Sequence, residues 1–157
     1  MVVRNLNHVS VGSRDLAESV SFYDRLFEME KIATPNFGYP VQWLAAGPLQ
    51  IHLFQHSDEP PVRQHFALSV SDFDAVFERA GELGVLDSET FGSALVELPG
   101  GEAQMYVRDP SGNLVEIDFD DVTKLAEKTR ATMVRLADIH PQSDENKRAT
   151  LFRDGSR

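Results

Sequence analysis

The stretch Leu6–Phe27, LNHVSVGSRDLAESVSFYDRLF, changes its period halfway along, and that change decides the fold. Over the first residues the pattern alternates, which puts Leu6, His8 and Ser10 on one face of a strand and Asn7, Val9 and Val11 on the other. After Ser13 the period lengthens. Leu16, Val20, Tyr23 and Phe27 recur at helical spacing, with Ser13 or Asp15 placed to cap an amphipathic helix of about three to four turns. Strand-like pieces follow near 31–34, 41–45 and 49–55, separated by the turn sequences PNFGYP and AGP. The order is one strand, one helix, three strands. A second stretch, HFALSVSDFDAVFERAGELGV from His65, repeats it: a strand over about 64–70, then a helix with Phe73, Val76, Phe77, Ala80 and Leu83 inward and Gly84 closing it. Strands near 94–98, 104–108 and 114–119 complete the copy, the last two joined by DPSG. His8 lies seven residues before Asp15, and His65 lies seven before Asp72. The spacing predicts an α+β chain built of tandem βαβββ units, with modules at about 5–56 and 64–119 inside one domain over 1–120.

The polar stretch HSDEPPVRQ, with two prolines that cannot continue a ladder, reads as the linker between the modules. Beyond Phe119, the residues Val122, Leu125, Thr129, Met133 and Leu136 predict a C-terminal helical extension with one apolar face. The rest of 121–157 then reads as a mobile tail.

Composition narrows the chemistry. The 157 residues include no cysteine, so disulfides, thiolate ligands and a catalytic thiol are excluded, and any metal must be held by nitrogen and oxygen. A net charge of −10 opposes nucleic acid and anionic membrane surfaces, which leaves a small-molecule substrate or a protein partner. Neither a signal-peptide core nor an apolar membrane span is present in the sequence, and the reading is of a cytoplasmic protein.

The duplication also sorts side chains by face. In LQIHLF the apolar Leu49, Ile51 and Leu53 take the helix-covered side and leave Gln50, His52 and Phe54 opposite. In NLVEIDF, Val115, Ile117 and Phe119 do the same and leave Leu114, Glu116 and Asp118. His8, His52, His65 and Glu116 thus share the open faces of equivalent strands. Three imidazoles and a carboxylate suit Zn, Ni, Mn or Fe(II), one divalent ion per site. Phe37, Trp43 and Phe54 are candidates to wall a substrate pocket, together with Tyr39 and Tyr106.

The segments Leu6–Phe27, His65–Val85 and YVRDPSGNLVEI (Tyr106–Ile117) resemble the first strand and helix, the second strand and helix, and the closing hairpin of the vicinal oxygen chelate superfamily, over about 5–119. That superfamily groups glyoxalase I, methylmalonyl-CoA epimerase, fosfomycin-resistance thiol transferases, extradiol dioxygenases and bleomycin-binding proteins. The resemblance implies metal ligands at His8, His52, His65 and Glu116, and a proton-moving role for Glu116 as in glyoxalases, with Tyr106 beside it. His52 departs from the glyoxalase pattern, which usually has a second carboxylate there. For the ring-cleaving dioxygenases, His8, His65 and Glu116 supply a 2-His-1-carboxylate triad, and MYVRDPSGNLVE matches part of their signature, but Glu97, Leu98 and Pro99 stand where a histidine is expected. For the thiol transferases, IDFDDVTKL after Glu116 has no arginine for a phosphonate. The resemblance therefore points first to a glyoxalase-like lyase or isomerase, then to a dioxygenase, then to a non-catalytic antibiotic binder. It also implies a homodimer whose sites draw His8 and His52 from one chain and His65 and Glu116 from the other.

Overall fold

A computed structural model describes residues 5–152. These form two compact units: one runs to Gln64 and includes Asp109–Asn113, and the other comprises His65–Arg108 and the chain from Leu114 onward.

In the first unit, β1 (His8–Ser13) leads to α1 (Leu16–Phe27), β2 (Lys31–Ile32), β3 (Val41–Ala46) and β4 (Leu49–Gln55). The sheet order is β1-β4-β3-β2, with β1 parallel to β4 and the other pairs antiparallel. Asp15 caps α1 by accepting from the Glu18 N–H at 3.0 Å, and the helix ends at Glu28 in the left-handed region with φ 58°. The buried face of α1 is Ser19, Phe22, Tyr23 and Leu26. Of the stripe expected from the sequence, only Tyr23 is fully buried, while Leu16, Val20 and Phe27 are half-buried. The contact face is rotated by about one residue, because Ser19 turns inward to share a 2.8 Å hydrogen bond with Ser13. The loop Asp109–Asn113 is fixed within this unit. Tyr23 donates to Asp109 at 3.0 Å, Asn113 donates to the Gly12 carbonyl at 2.7 Å, and the Arg14 N–H donates to Ser111 at 2.9 Å.

In the second unit, β5 (His65–Ser69), α2 (Phe73–Leu83), β6 (Leu95–Glu97), β7 (Ala103–Arg108) and β8 (Leu114–Phe119) repeat the plan. Asp72 caps α2 through the Ala75 N–H at 2.9 Å, and Gly84 closes it at φ 65°. Phe73, Val76 and Ala80 are buried, as the pattern predicts, with Phe77 and Leu83 half-buried. The segment after Phe119 does not form a single helix. It breaks into a 3-10 turn at Val122–Lys124, a one-turn helix α3 (Glu127–Arg130), a strand β9 (Val134–Arg135) and a second one-turn helix α4 (Leu136–Ile139). Two local demands break it up. The Asp74 carboxylate accepts from the Ala126 N–H at 3.0 Å and from the Thr129 hydroxyl, which holds α3 against α2. Val134 and Arg135 then pair in parallel with Val96 and Glu97, so β9 completes a sheet of order β5-β8-β7-β6-β9. Of the expected tail, residues 153–157 lie outside the described residues. No helix among the described residues is long and apolar enough to cross a membrane.

Candidate functional site

The two units present their candidate residues in the same register. His8 lies opposite Gln50, two residues before His52, and His65 lies opposite Leu114, two residues before Glu116. Each unit therefore brings one donor pair to the open face of its parallel strand pair.

In the first unit the imidazoles of His8 and His52 stack, with ring centroids 4.1 Å apart and planes 13° from parallel. Trp43 stacks on the other side of His52 at 4.1 Å and 6°, and Phe37 lies 5.9 Å beyond Trp43. The Asn7 side-chain oxygen meets His8 Nδ1 at 2.9 Å, and the Gln50 oxygen meets His52 Nε2 at 2.9 Å. An amide oxygen only accepts, so these ring nitrogens donate, leaving lone pairs on His8 Nε2 and His52 Nδ1. Burial, and then the neighbouring His8 charge, lowers the His52 pKa and favours its neutral, ligating form. Phe54 shares the open face but stacks on His56 at 5.0 Å, and Tyr39 lies 6.0 Å from Phe37.

In the second unit His65 Nε2 faces Glu116 Oε2 at 3.3 Å. Gln104 fixes the other carboxylate oxygen, donating to Glu116 Oε1 at 2.6 Å, and the Tyr106 hydroxyl donates to Gln104 at 3.3 Å. Phe91 and Tyr106 stand edge-on to the His65 ring at 5.9 and 6.3 Å. Burial first, and then the Glu116 charge, pushes the Tyr106 hydroxyl up, so it remains a neutral donor at physiological pH. Asp118, on the same face of β8, is pushed up to about 8, first by burial and then by Glu116.

Sequence reading did not pick out Gln104, Gln50 or Asn7. Their side-chain amides hold the candidate ligands; parity marks the two glutamines, since Gln104 faces Asp118 in the ladder and Gln50 shares a face with His52, while Asn7 carries no such signal.

The His65–Glu116 pair has the spacing of two ligands on one ion of the zinc or manganese kind. Two ligands each about 2.1 Å from one ion lie roughly 3.0–3.4 Å apart, and the His65–Glu116 separation of 3.3 Å matches. Among the described residues no group of three or more His, Asp or Glu side chains converges on one point, so the set stands as two pairs.

Comparison with known proteins agrees with this architecture. The chain is 29% identical over 125 residues to Glyoxylase I 4 of Arabidopsis thaliana, covering 72% of this chain and 69% of that protein. A lactoylglutathione lyase from Agrobacterium tumefaciens superposes with a TM-score of 0.60 at 19% identity, covering 80% of this chain and 100% of the other. A fosfomycin resistance protein from Listeria monocytogenes, solved with Mn(II) and sulfate, gives a TM-score of 0.60 at 17% identity, with 83% and 99% covered. The sequence model of the Glyoxalase/Bleomycin resistance protein/Dioxygenase superfamily matches residues 5–117, and with both βαβββ units now described, this chain belongs to that superfamily.

Proposed function

We propose that the protein is a cytoplasmic, metal-dependent lyase or isomerase of glyoxalase type, acting on a small carbonyl or hydroxy compound that chelates a divalent ion. The observation that carries this reading is the His65–Glu116 pair at 3.3 Å, matched in register by His8 and His52. His8, His52, His65 and Glu116 would hold the ion, with Zn, Ni, Mn and Fe(II) all suited to that donor set. The Mn(II) in the Listeria protein and the name of the Arabidopsis relative support the same reading. When bound, such an ion polarises a substrate oxygen and acidifies the neighbouring C–H. Glu116 is the residue that takes and returns that proton at a carboxylate oxygen. The residue is 5% exposed and its carboxylate is held by Gln104, so it meets the substrate in one orientation. Tyr106, kept neutral, supplies a hydroxyl donor beside it, while Phe37, Trp43 and Phe54 form the apolar wall.

The ligand set is proposed to assemble across a symmetric homodimer, His8 and His52 from one chain and His65 and Glu116 from its partner. Each unit brings one pair, which is what such sharing requires. Elemental analysis of unstripped protein tests the reading. The wild type is expected to carry one divalent ion per site, and His8→Ala, His65→Ala and Glu116→Ala to lose it while remaining folded. Full metal content in all three variants would overturn the proposal.

A second reading has one observation in its favour. His52 is sandwiched between Trp43 and His8 and bonded to Gln50, an arrangement that suits pocket lining as well as ligation. If His52→Ala retains metal, His8, His65 and Glu116 form a facial triad, and oxygen uptake on catechols becomes the activity to measure. Wild-type protein without stoichiometric metal would instead favour a small-molecule binder.

A further inference from the structure

The second unit contains two buried side-chain oxygens with no hydrogen-bond partner among the described residues: Glu102 Oε2 and Asp118 Oδ1. Glu102 is 3% exposed and Asp118 6%. A buried carboxylate oxygen without a donor is costly, because burial removes its water without supplying a replacement. The surroundings of Glu102 add further oxygens. A side chain at Gly100 would collide with Glu102 Oε2 and would meet the main-chain oxygen of Ala149 at 3.2 Å, so a carboxylate oxygen and a carbonyl oxygen approach one spot beside Gly100. Thr150 donates its hydroxyl to the other carboxylate oxygen, Glu102 Oε1, at 2.8 Å, and the buried Phe152 lies two residues further on. Asp118 stands in the same ladder, opposite Gln104, which lies two residues beyond Glu102.

We propose that Glu102 is the centre of an oxygen-lined site for a hard divalent cation, with the Ala149 carbonyl and Asp118 as further donors and the segment 149–152 as its cover. The chemistry separates it from the histidine set. Carboxylate and carbonyl oxygens select calcium or magnesium, and calcium tolerates the irregular geometry of a strand end met by a returning chain segment. A cation there would give both unpaired oxygens a partner and tie the C-terminal segment to β7. In a chain of net charge −10 the local field favours it.

Calcium added to chelator-treated, full-length protein is the probe. Titration calorimetry is expected to give one site per chain, and Tm to rise by several degrees. Trypsin cleavage at the exposed Lys147 and Arg148 is expected to slow severalfold, because the cover is then held down. Glu102→Gln, which keeps the shape and removes the charge, should abolish all three responses. Gly100→Ala, which displaces the carboxylate without removing it, should weaken them at least tenfold and keeps the test usable if Glu102→Gln fails to fold. His65→Ala should leave the calcium response intact even though it loses the transition metal, so the two sites are judged separately. No calcium binding by the wild type, or undiminished binding by Glu102→Gln, would overturn the proposal and leave a proton or a buried water as the partner of Glu102.

Discussion

At Glu116, Gln104 holds one carboxylate oxygen at 2.6 Å, and the other lies toward His65. Gln104→Ala is expected to lower metal affinity about 10–100-fold without unfolding the unit, the usual cost of losing a ligand's supporting hydrogen bond, and a competition titration with a chromogenic chelator measures it. His8 and Glu116 were legible in the sequence because strand alternation assigns each to a face. Gln104 was not, since a glutamine within a strand has no pattern to mark it as a support. Tyr23 makes the corresponding structural point. It is fully buried and donates to Asp109, and burial, followed by the Asp109 charge, holds its pKa well above 10. The sign follows from linkage: the stabilisation is fully present below the unfolded value of about 10 and is lost as pH rises above it. Tyr23→Phe should cost about 1–3 kcal/mol at neutral pH, by denaturant unfolding. In the wild type the ultraviolet signal of Tyr23 ionisation should appear only together with loss of helical ellipticity.

Among the elements, both helices of the repeat begin with an aspartate cap, Asp15 and Asp72, each accepting from the N–H three residues on. Removing either, as Asp15→Ala or Asp72→Ala, is expected to cost about 1 kcal/mol by thermal melting, with the two losses nearly additive because they lie in separate units. These helices and the strands of the two copies were readable because each buries one side, so period and burial agree. The segment after Phe119 was not. Its apolar residues do fall at helical spacing, but Asp74 captures Ala126 and Thr129, and the open edge of β6 captures Val134. Both partners are distant in sequence, and a single-chain period contains no trace of them. The offset of the α1 face has a similar origin, in a serine pair that hydropathy scores as polar.

For the whole molecule the duplication was the legible fact, and the register of His8 with His52 and of His65 with Glu116 repeats it at atomic detail. In the proposed shared-site dimer the pairs meet through assembly, which a lone sequence does not encode by any local pattern. Mixing His8→Ala with Glu116→Ala protein under conditions of subunit exchange tests the shared-site dimer. In each mixed dimer one site carries both lesions and the other none, so about half of those sites should regain metal. No recovery despite proven exchange would mean that each chain builds its own site. One further consequence comes from Trp43, the single tryptophan of the chain, lying flat on His52 at 4.1 Å. A protonated imidazole quenches indole emission, so the protein carries its own optical gauge of His52. In metal-free protein the fluorescence should dim on acidification with a midpoint below the ordinary histidine value, and His8→Ala should move that midpoint upward by removing a like charge. An ion captured at His52 would hold the lone pair against protons and keep the emission steady through the same acid range, turning a fluorimeter into a direct counter of filled sites.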